Sequence, residues 1–246
     1  MKGADIGKIS EILEILLRAG PLTPYEIYKR SSLTLATAYR YIKRVTDNGL
    51  ARESYGLIEI TLKGIILLAL LGSDEALDGL SRYFGFDRDI INALISELRS
   101  RCVTDLELES IRINNALDIL SCLMINNDLL TTVKYFKDKT LEPLIAYILI
   151  NSLPTVTLSD GSKMVLSDGG VLAIACRRCG IAKNSKYRNR HDSNVYRLLC
   201  DFECVKNSSV RIVISVNGNS SFQDCEKSPY KSIITISSNG STKDRD

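Results

Sequence analysis

Helix caps and helix breakers fall at short intervals through the first 72 residues and restrict this stretch to brief elements joined by tight turns. Ile9, Ile12, Leu13, Leu16 and Leu17 recur at helical spacing until Gly20-Pro21 ends the run. Thr23 then offers its hydroxyl to the orphan amides of a short helix starting at Pro24, with Glu26 in its first turn. Ser31, Ser32 and Leu33 form a turn, and Thr34 caps the next helix, predicted from Leu35 to about Asn48. Ala38, Tyr41, Ile42 and Val45 give that helix a buried stripe, and Gly49 closes it with a left-handed residue. Two strands are expected next, Leu50 to Ser54 and Leu57 to Thr61, with Tyr55-Gly56 at the tip between them. Thr61-Leu62-Lys63-Gly64 then opens an apolar helix, Ile65 to Leu71.

Helix, helix, turn, helix, two-stranded wing, helix is the order of a winged helix-turn-helix. The stretch Leu22-Thr23-Pro24-Tyr25-Glu26-Ile27, with Ala38-Tyr39-Arg40-Tyr41-Ile42-Lys43-Arg44 and Asn48-Gly49-Leu50, resembles microbial winged-helix regulators of the broad MarR, PadR and TrmB type. Thr61-Leu62-Lys63-Gly64 is similar to the motif that commonly closes the wing in those families. The resemblance covers about the first 70 residues and implies transcription regulation with double-stranded DNA as partner. A helix fits the major groove and presents its outer side chains to bases and phosphates. Thr34, Thr37 and Arg40 are expected to reach bases, with Tyr39 also facing outward. Lys43 and Arg44 are expected on phosphates, because a charge on a long arm positions the protein without reading sequence. Arg52 and Tyr55 would set the wing beside the minor groove or the backbone. A winged helix that docks protein instead is the competing reading, since this wing is short and lacks a cationic tip.

From 73 to 152 the chain reads as nearly all helix. Helices are expected over Asp74 to Tyr83, from Asp87 onward with Ile90, Ile91, Leu94, Ile95 and Leu98 on one face, over Leu129 to Phe136, and over Leu141 to Asn151. A long helix from about Asp105 to Asn126 would turn Leu106, Ile113, Leu117, Leu120 and Met124 inward. Such a bundle can supply the interface of a homodimer that reads a palindrome, or serve as a monomeric spacer. Cys102 and Cys122 lie alone in apolar patterns and read as core thiols.

After Pro154 the pattern turns β-like. Thr155 to Leu158, Lys163 to Leu166, Val171 to Ala175, Val210 to Val216 and Lys231 to Ile236 are strand candidates, with Asn217-Gly218 a turn and Ser237 to Asp246 a polar, frayed end. Cys176-Arg177-Arg178-Cys179-Gly180 has the spacing with which two thiolates chelate one tetrahedral zinc from a turn. Cys200 and Cys204 would complete one structural zinc site, with His191 or Cys225 as substitutes for one of them. Disulfides, core thiols or a redox pair are the alternatives. Arg177, Arg178, Lys183, Lys186, Arg188 and Arg190 run without an intervening acid and form a candidate second phosphate-contacting surface, or a solvated linker. The plan also resembles archaeal transcription factors that join a winged helix to a zinc ribbon, from which the helical middle and the irregular cysteine spacing depart.

The expected architecture is therefore α+β in three parts: 1–72, a winged helix-turn-helix; 73–152, helical; and 153–246, a small mostly β, cysteine-containing domain. Charge follows the same division. The first part holds ten Lys and Arg against seven Asp and Glu, the second eight against thirteen, and the third fourteen against nine. A phosphate backbone would favour the two basic ends and leave the acidic middle for protein contacts. The longest apolar run is seven residues, far short of a membrane span, and Met1-Lys2-Gly3-Ala4-Asp5 opens no secretory segment, so a cytoplasmic protein is expected. An enzyme is not expected: His191 is the one histidine, and no phosphate-binding glycine loop or nucleophile motif occurs. Thiol chemistry at Cys176 and Cys179 is the one enzymatic route left open. The leading reading is a sequence-specific regulator, dimeric, with a small-molecule or protein effector. A general transcription-machinery or nucleic-acid-binding factor is the second.

Overall fold

The caps and breakers set the elements in the computed structural model, which describes residues 3–102, 112–157, 163–167, 170–176, 195–198, 212–214, 234–236 and 242–244. The chain is helix-rich α+β with a small two-stranded sheet and divides into two compact units, Met1–Met124 and Ile125–Asp246. The first unit holds α1 (Gly3–Ala19), α2 (Pro24–Arg30), α3 (Leu35–Asp47), β1 (Ala51–Ser54), β2 (Leu57–Ile60), α4 (Leu62–Leu70), α5 (Asp74–Phe84), α6 (Arg88–Arg101) and α7 (Ala116–Leu123). A boundary at residue 72 would fall between α4 and α5, which pack together inside this unit.

Local chemistry accounts for the boundaries. Thr23 and Glu26 form a capping box on α2: the Glu26 amide donates to the Thr23 hydroxyl at 3.3 Å, and the Thr23 amide donates to the Glu26 carboxylate at 2.8 Å. β1 and β2 pair antiparallel from Ala51 opposite Ile60 to Ser54 opposite Leu57. Leu22 adds a single bridge to Ile58, exchanging amide–carbonyl bonds of 3.0 and 2.7 Å, so the link between α1 and α2 is stitched to the hairpin. α4 is buried on nearly every side, as a helix apolar all round must be, and it packs against α1, α5 and α6. The Arg99 guanidinium donates to the Leu70 carbonyl at 2.7 Å and satisfies the C-terminal end of α4.

The joint between α3, the hairpin and α4 is unusually close. The Leu50 amide donates to the Val45 carbonyl at 2.9 Å, and the Leu50 carbonyl accepts the Thr61 amide at 3.0 Å. The Thr61 hydroxyl donates to the Gly49 carbonyl at 2.7 Å and accepts the Gly64 amide at 3.3 Å. Gly49 has φ +69°, which favours glycine, while Gly64 is required for space. A Cβ at position 64 would run into the Leu50 carbonyl oxygen and come within 2.8 Å of Ile60 Cγ1.

Three expectations for the acidic middle need correction. The long helix from Asp105 is not continuous, because residues 112–115 are non-helical and α7 begins only at Ala116. Asn115 and Asp118 form a capping box there, so a cap lies where an uninterrupted helix was expected. Ile113 and Leu120 are buried, but Leu117 is exposed and Met124 half-buried, and Leu106 lies outside the described residues. Cys102 and Cys122 are not free core thiols: they form a disulfide between the ends of α6 and α7, with Cα atoms 5.9 Å apart. The five expected apolar positions of α6 are all buried.

The second unit holds α8 (Leu129–Phe136), α9 (Glu142–Ser152), a four-stranded antiparallel sheet of β3 (Thr155–Thr157), β4 (Lys163–Ser167), β5 (Gly170–Cys176) and β6 (Val195–Leu198), and a three-stranded set, β7 (Ile212–Ile214), β8 (Ile234–Ile236) and β9 (Thr242–Asp244). β7 pairs parallel to β8, and β9 pairs antiparallel to it, so part of the end expected to fray is a strand. The Asn217-Gly218 turn lies outside the described residues. α9 packs on the four-stranded sheet. The buried carboxylate of Glu142, at the start of α9, accepts the amides of Leu198 at 3.1 Å and Asp138 at 3.2 Å, fastening β6 to the helix. Among the described residues no helix is long and apolar enough to cross a membrane.

Replacing Gly64 by alanine is expected to cost on the order of 3 kcal/mol, because backbone rather than a flexible side chain blocks the new Cβ. Denaturant unfolding should show a lowered midpoint, whereas Gly7→Ala, which meets nothing within 4 Å, should not lower it.

Candidate nucleic-acid interface

α3 owes its orientation to a four-residue apolar stripe. Ala38, Tyr41, Ile42 and Val45 are buried against the first unit, and the opposite ridge carries Ala36, Arg40, Lys43 and Asp47, all exposed. Leu35 and Tyr39 follow one flank of that ridge, 49% and 46% exposed. Arg40 stacks its guanidinium on the Tyr41 ring, 5.2 Å from the centroid, which stiffens the arm without neutralising it. Among the described residues neither Arg40 nor Lys43 has an ion-pair partner.

Thr34 occupies the N-cap position, but its hydroxyl does not cap the helix as expected. It donates instead to the Thr37 hydroxyl at 2.9 Å, and Thr37 is half-buried rather than fully outward. The first amides of α3 therefore lack the side-chain acceptor that α2 receives from Thr23, and an anion outside the protein can take that place. The turn before α3 is anchored to α1, where the Glu11 carboxylate accepts the Ser32 amide and, at 3.1 Å, its hydroxyl.

Two of the expected DNA contacts, Arg44 on phosphate and Arg52 on the wing, are engaged inside the protein. Arg44 lies on the flank of α3 toward α1, and its guanidinium donates to Asp5 Oδ2 at 3.2 Å. Asp5 also accepts a short hydrogen bond from the buried Tyr41 hydroxyl. That hydrogen bond first, and the one from Arg44 second, hold the Asp5 carboxyl below the ordinary carboxylate range. The Tyr41 hydroxyl is pushed up, chiefly by the same bond to Asp5. On the hairpin, Arg52 closes a two-donor contact across the strands to Glu59 Oε2, at 3.0 and 2.9 Å. Both pairs are solvent-accessible, so each lowers local charge more than it stabilises the fold.

Tyr55 stands at the tip of the hairpin, wholly exposed. It has φ 53° and Gly56 has φ 76°, the paired positive values of a tight two-residue hairpin turn. Asparagine suits the first of those positions, and a bulky aromatic there holds its backbone at a cost.

Several contributors had no obvious sequence signal. Asp5 looked like one polar residue in an N-terminal stretch, and only the fold brings it to Tyr41 and Arg44. Tyr25, 54% exposed on α2 with the Lys29 ammonium 5.4 Å from its ring centroid, adds an aromatic and a cation to the same helix pair. Its place one position after Pro24, on the outer side of a capped first turn, was a readable sign.

The remaining expected sites fall almost entirely outside the described residues. Arg177, Arg178, Lys183, Lys186, Arg188, Arg190, Cys179, Cys200, Cys204, Cys225 and His191 lie outside the described residues. Cys176 ends β5 opposite Val195, while Leu198 at the far end of β6 faces Ala173. Among the described residues no group of three or more His, Cys, Asp or Glu could hold a metal ion. Comparison with protein-family models, curated proteins and solved structures finds no match to the chain.

Loss of the Asp5 charge gives a pH-dependent readout. A depressed carboxyl contributes stability above its ordinary range and loses that contribution as pH falls through its folded-state value. The wild type should thus lose thermal stability in acid more steeply than Asp5→Asn, and the two curves should converge well below pH 4. Parallel curves would show that Asp5 does not fix the α1–α3 contact.

Proposed function

We propose that residues 3–70 form a winged helix-turn-helix and that the chain is a DNA-binding transcriptional regulator, a binding protein rather than an enzyme. α3 enters the major groove, and the β1–β2 hairpin lies along the backbone or minor groove as its wing. The observation that carries this reading is the pair Arg40 and Lys43, which among the described residues form no ion pair and stand exposed on the outer ridge of a helix whose other face is locked into the core. The uncapped start of α3 and the strained, exposed Tyr55 support it from either side. Arg40 reads a base edge, Lys43 meets phosphate, and Arg44 and Arg52 act as scaffold through Asp5 and Glu59.

A regulator of this kind acts as a homodimer on two half-sites about 34 Å apart. Tyr83 on α5 and Leu117 on α7, exposed large apolar side chains of the first unit outside residues 3–70, are available for such pairing. A small molecule or protein would supply the signal. For the cysteines, the proposal is one structural zinc held by Cys176, Cys179, Cys200 and Cys204, with His191 or Cys225 as a substitute for one of them.

Duplex selection from a randomised pool, followed by binding at graded salt, tests the reading. Lys43→Ala should weaken every duplex about equally and flatten the salt dependence by about one unit of log–log slope. Arg40→Ala should relax preference at one base position. A general nucleic-acid-binding factor would instead retain no preferred duplex as salt rises. Equal binding by wild type and both variants would remove α3 from the interface.

Tyr55→Asn separates the wing from the fold. The variant should be more stable by on the order of 1 kcal/mol, because asparagine adopts the left-handed turn with less strain. It should also bind the selected duplex more weakly, with an unchanged salt slope, because no charge is removed. Undiminished binding would leave the wing outside the interface.

A further inference from the structure

The outer surface at the start of α3 is apolar to a degree that phosphate contacts do not explain. Leu35 and Tyr39 are about half exposed, Ala36 between them on the outer ridge is exposed, and the Thr34 and Thr37 hydroxyls are bonded to each other. These residues fill the first turn and a half of the helix, the part that lies nearest base edges when a recognition helix enters the major groove. The cations Arg40 and Lys43 begin only beyond them, and Asp47 at the far end of the ridge repels phosphate. Arg44 and Arg52 are already neutralised by Asp5 and Glu59. The surface therefore has few free charges and an apolar leading end.

The major groove displays one apolar group, the C5 methyl of thymine. An exposed leucine, alanine and tyrosine ring at helical spacing can be dried against such methyls, whereas cytosine or guanine edges would leave polar groups facing hydrocarbon. We propose that Leu35, Ala36 and Tyr39 are specificity-determining residues that select thymine-bearing A·T pairs in the half-site, next to the base pair read by Arg40. This rests on the DNA-binding reading above and deepens it. It names the class of duplex: a half-site recognised through thymine methyls, with a smaller share of its affinity from counterion release than a strongly basic helix would give.

The test uses the full chain and the best duplex that the wild type selects from a random pool. Each thymine is replaced in turn by deoxyuridine, which keeps every hydrogen-bonding group and deletes only the methyl. At one or more positions the wild-type Kd should rise roughly fourfold, the effect of removing one buried methyl. Leu35→Ala, at an exposed position that leaves the fold and its unfolding midpoint unchanged, should bind the thymine duplex more weakly. It should also lose the thymine-to-uracil difference at one of those positions. If the wild type binds a selected duplex tightly but tolerates uracil everywhere, methyl readout is overturned while the DNA-binding reading stands. A selected duplex without thymine in the half-site overturns it equally. If no duplex is retained at all, both fall, and the Leu35–Tyr39 face belongs to a protein contact.

Discussion

The Leu50 carbonyl oxygen accepts the Thr61 amide while the first turn of α4 crosses over it, and a residue without a Cβ at position 64 is what lets both happen together. Around this crossing the Thr61 hydroxyl bonds to Gly49 and Gly64, and the Leu50 amide reaches back to Val45 in α3. The end of α3, the root of the hairpin and the start of α4 are thus fixed to one another by backbone groups and the one Thr61 hydroxyl. With α4 buried among α1, α5 and α6, the outer ridge of α3 acquires a direction set by the core. A surface that reads another molecule needs its side chains on such a rigid base.

Much of the first unit was legible because its signals are local. The Thr23–Glu26 cap, the apolar stripe of α3, the Tyr55-Gly56 tip and the Thr61–Gly64 start of α4 each lie within a few residues of what they determine. Where sequence reading failed, the deciding partner was distant or the competing signal small. Asn115 and Asp118 stop a helix that hydrophobic spacing alone would have continued to the N-terminal side. The Leu22–Ile58 bridge is one residue wide, too short for any alternation to show. Cys102 and Cys122 sit in apolar surroundings, and nothing in either neighbourhood says that the other is near. In the candidate interface, residue types identified the ridge, but Asp5 and Glu59 decide which cations on it remain available.

That distribution of charge shapes how the surface would work. A basic helix with every arginine free would attract any polyanion and slide over sequence. Here Asp5 and Glu59 neutralise Arg44 and Arg52, and what stays free is a short row of mixed character: apolar at the start of α3, cationic in its middle, acidic at its end. If the surface binds DNA as proposed, such a row would discriminate by shape and desolvation more than by attraction, and affinity won in that way would survive changes in ionic strength.

The disulfide between Cys102 and Cys122 closes residues 102–122 into a covalent ring. A protease that opened one peptide bond in that ring would leave a molecule with the same composition plus one water, still a single piece until a reductant was added. α6 and α7 would stay joined whatever became of the segment between them. In a chain cut within that ring, the covalent link between α6 and α7 would rest on the sulfur bond alone and so on the redox character of its surroundings. An oxidising compartment, or the cytosol of a hyperthermophile, would keep the ring closed; a reducing one would return two half-buried thiols to the surface of α6 and α7.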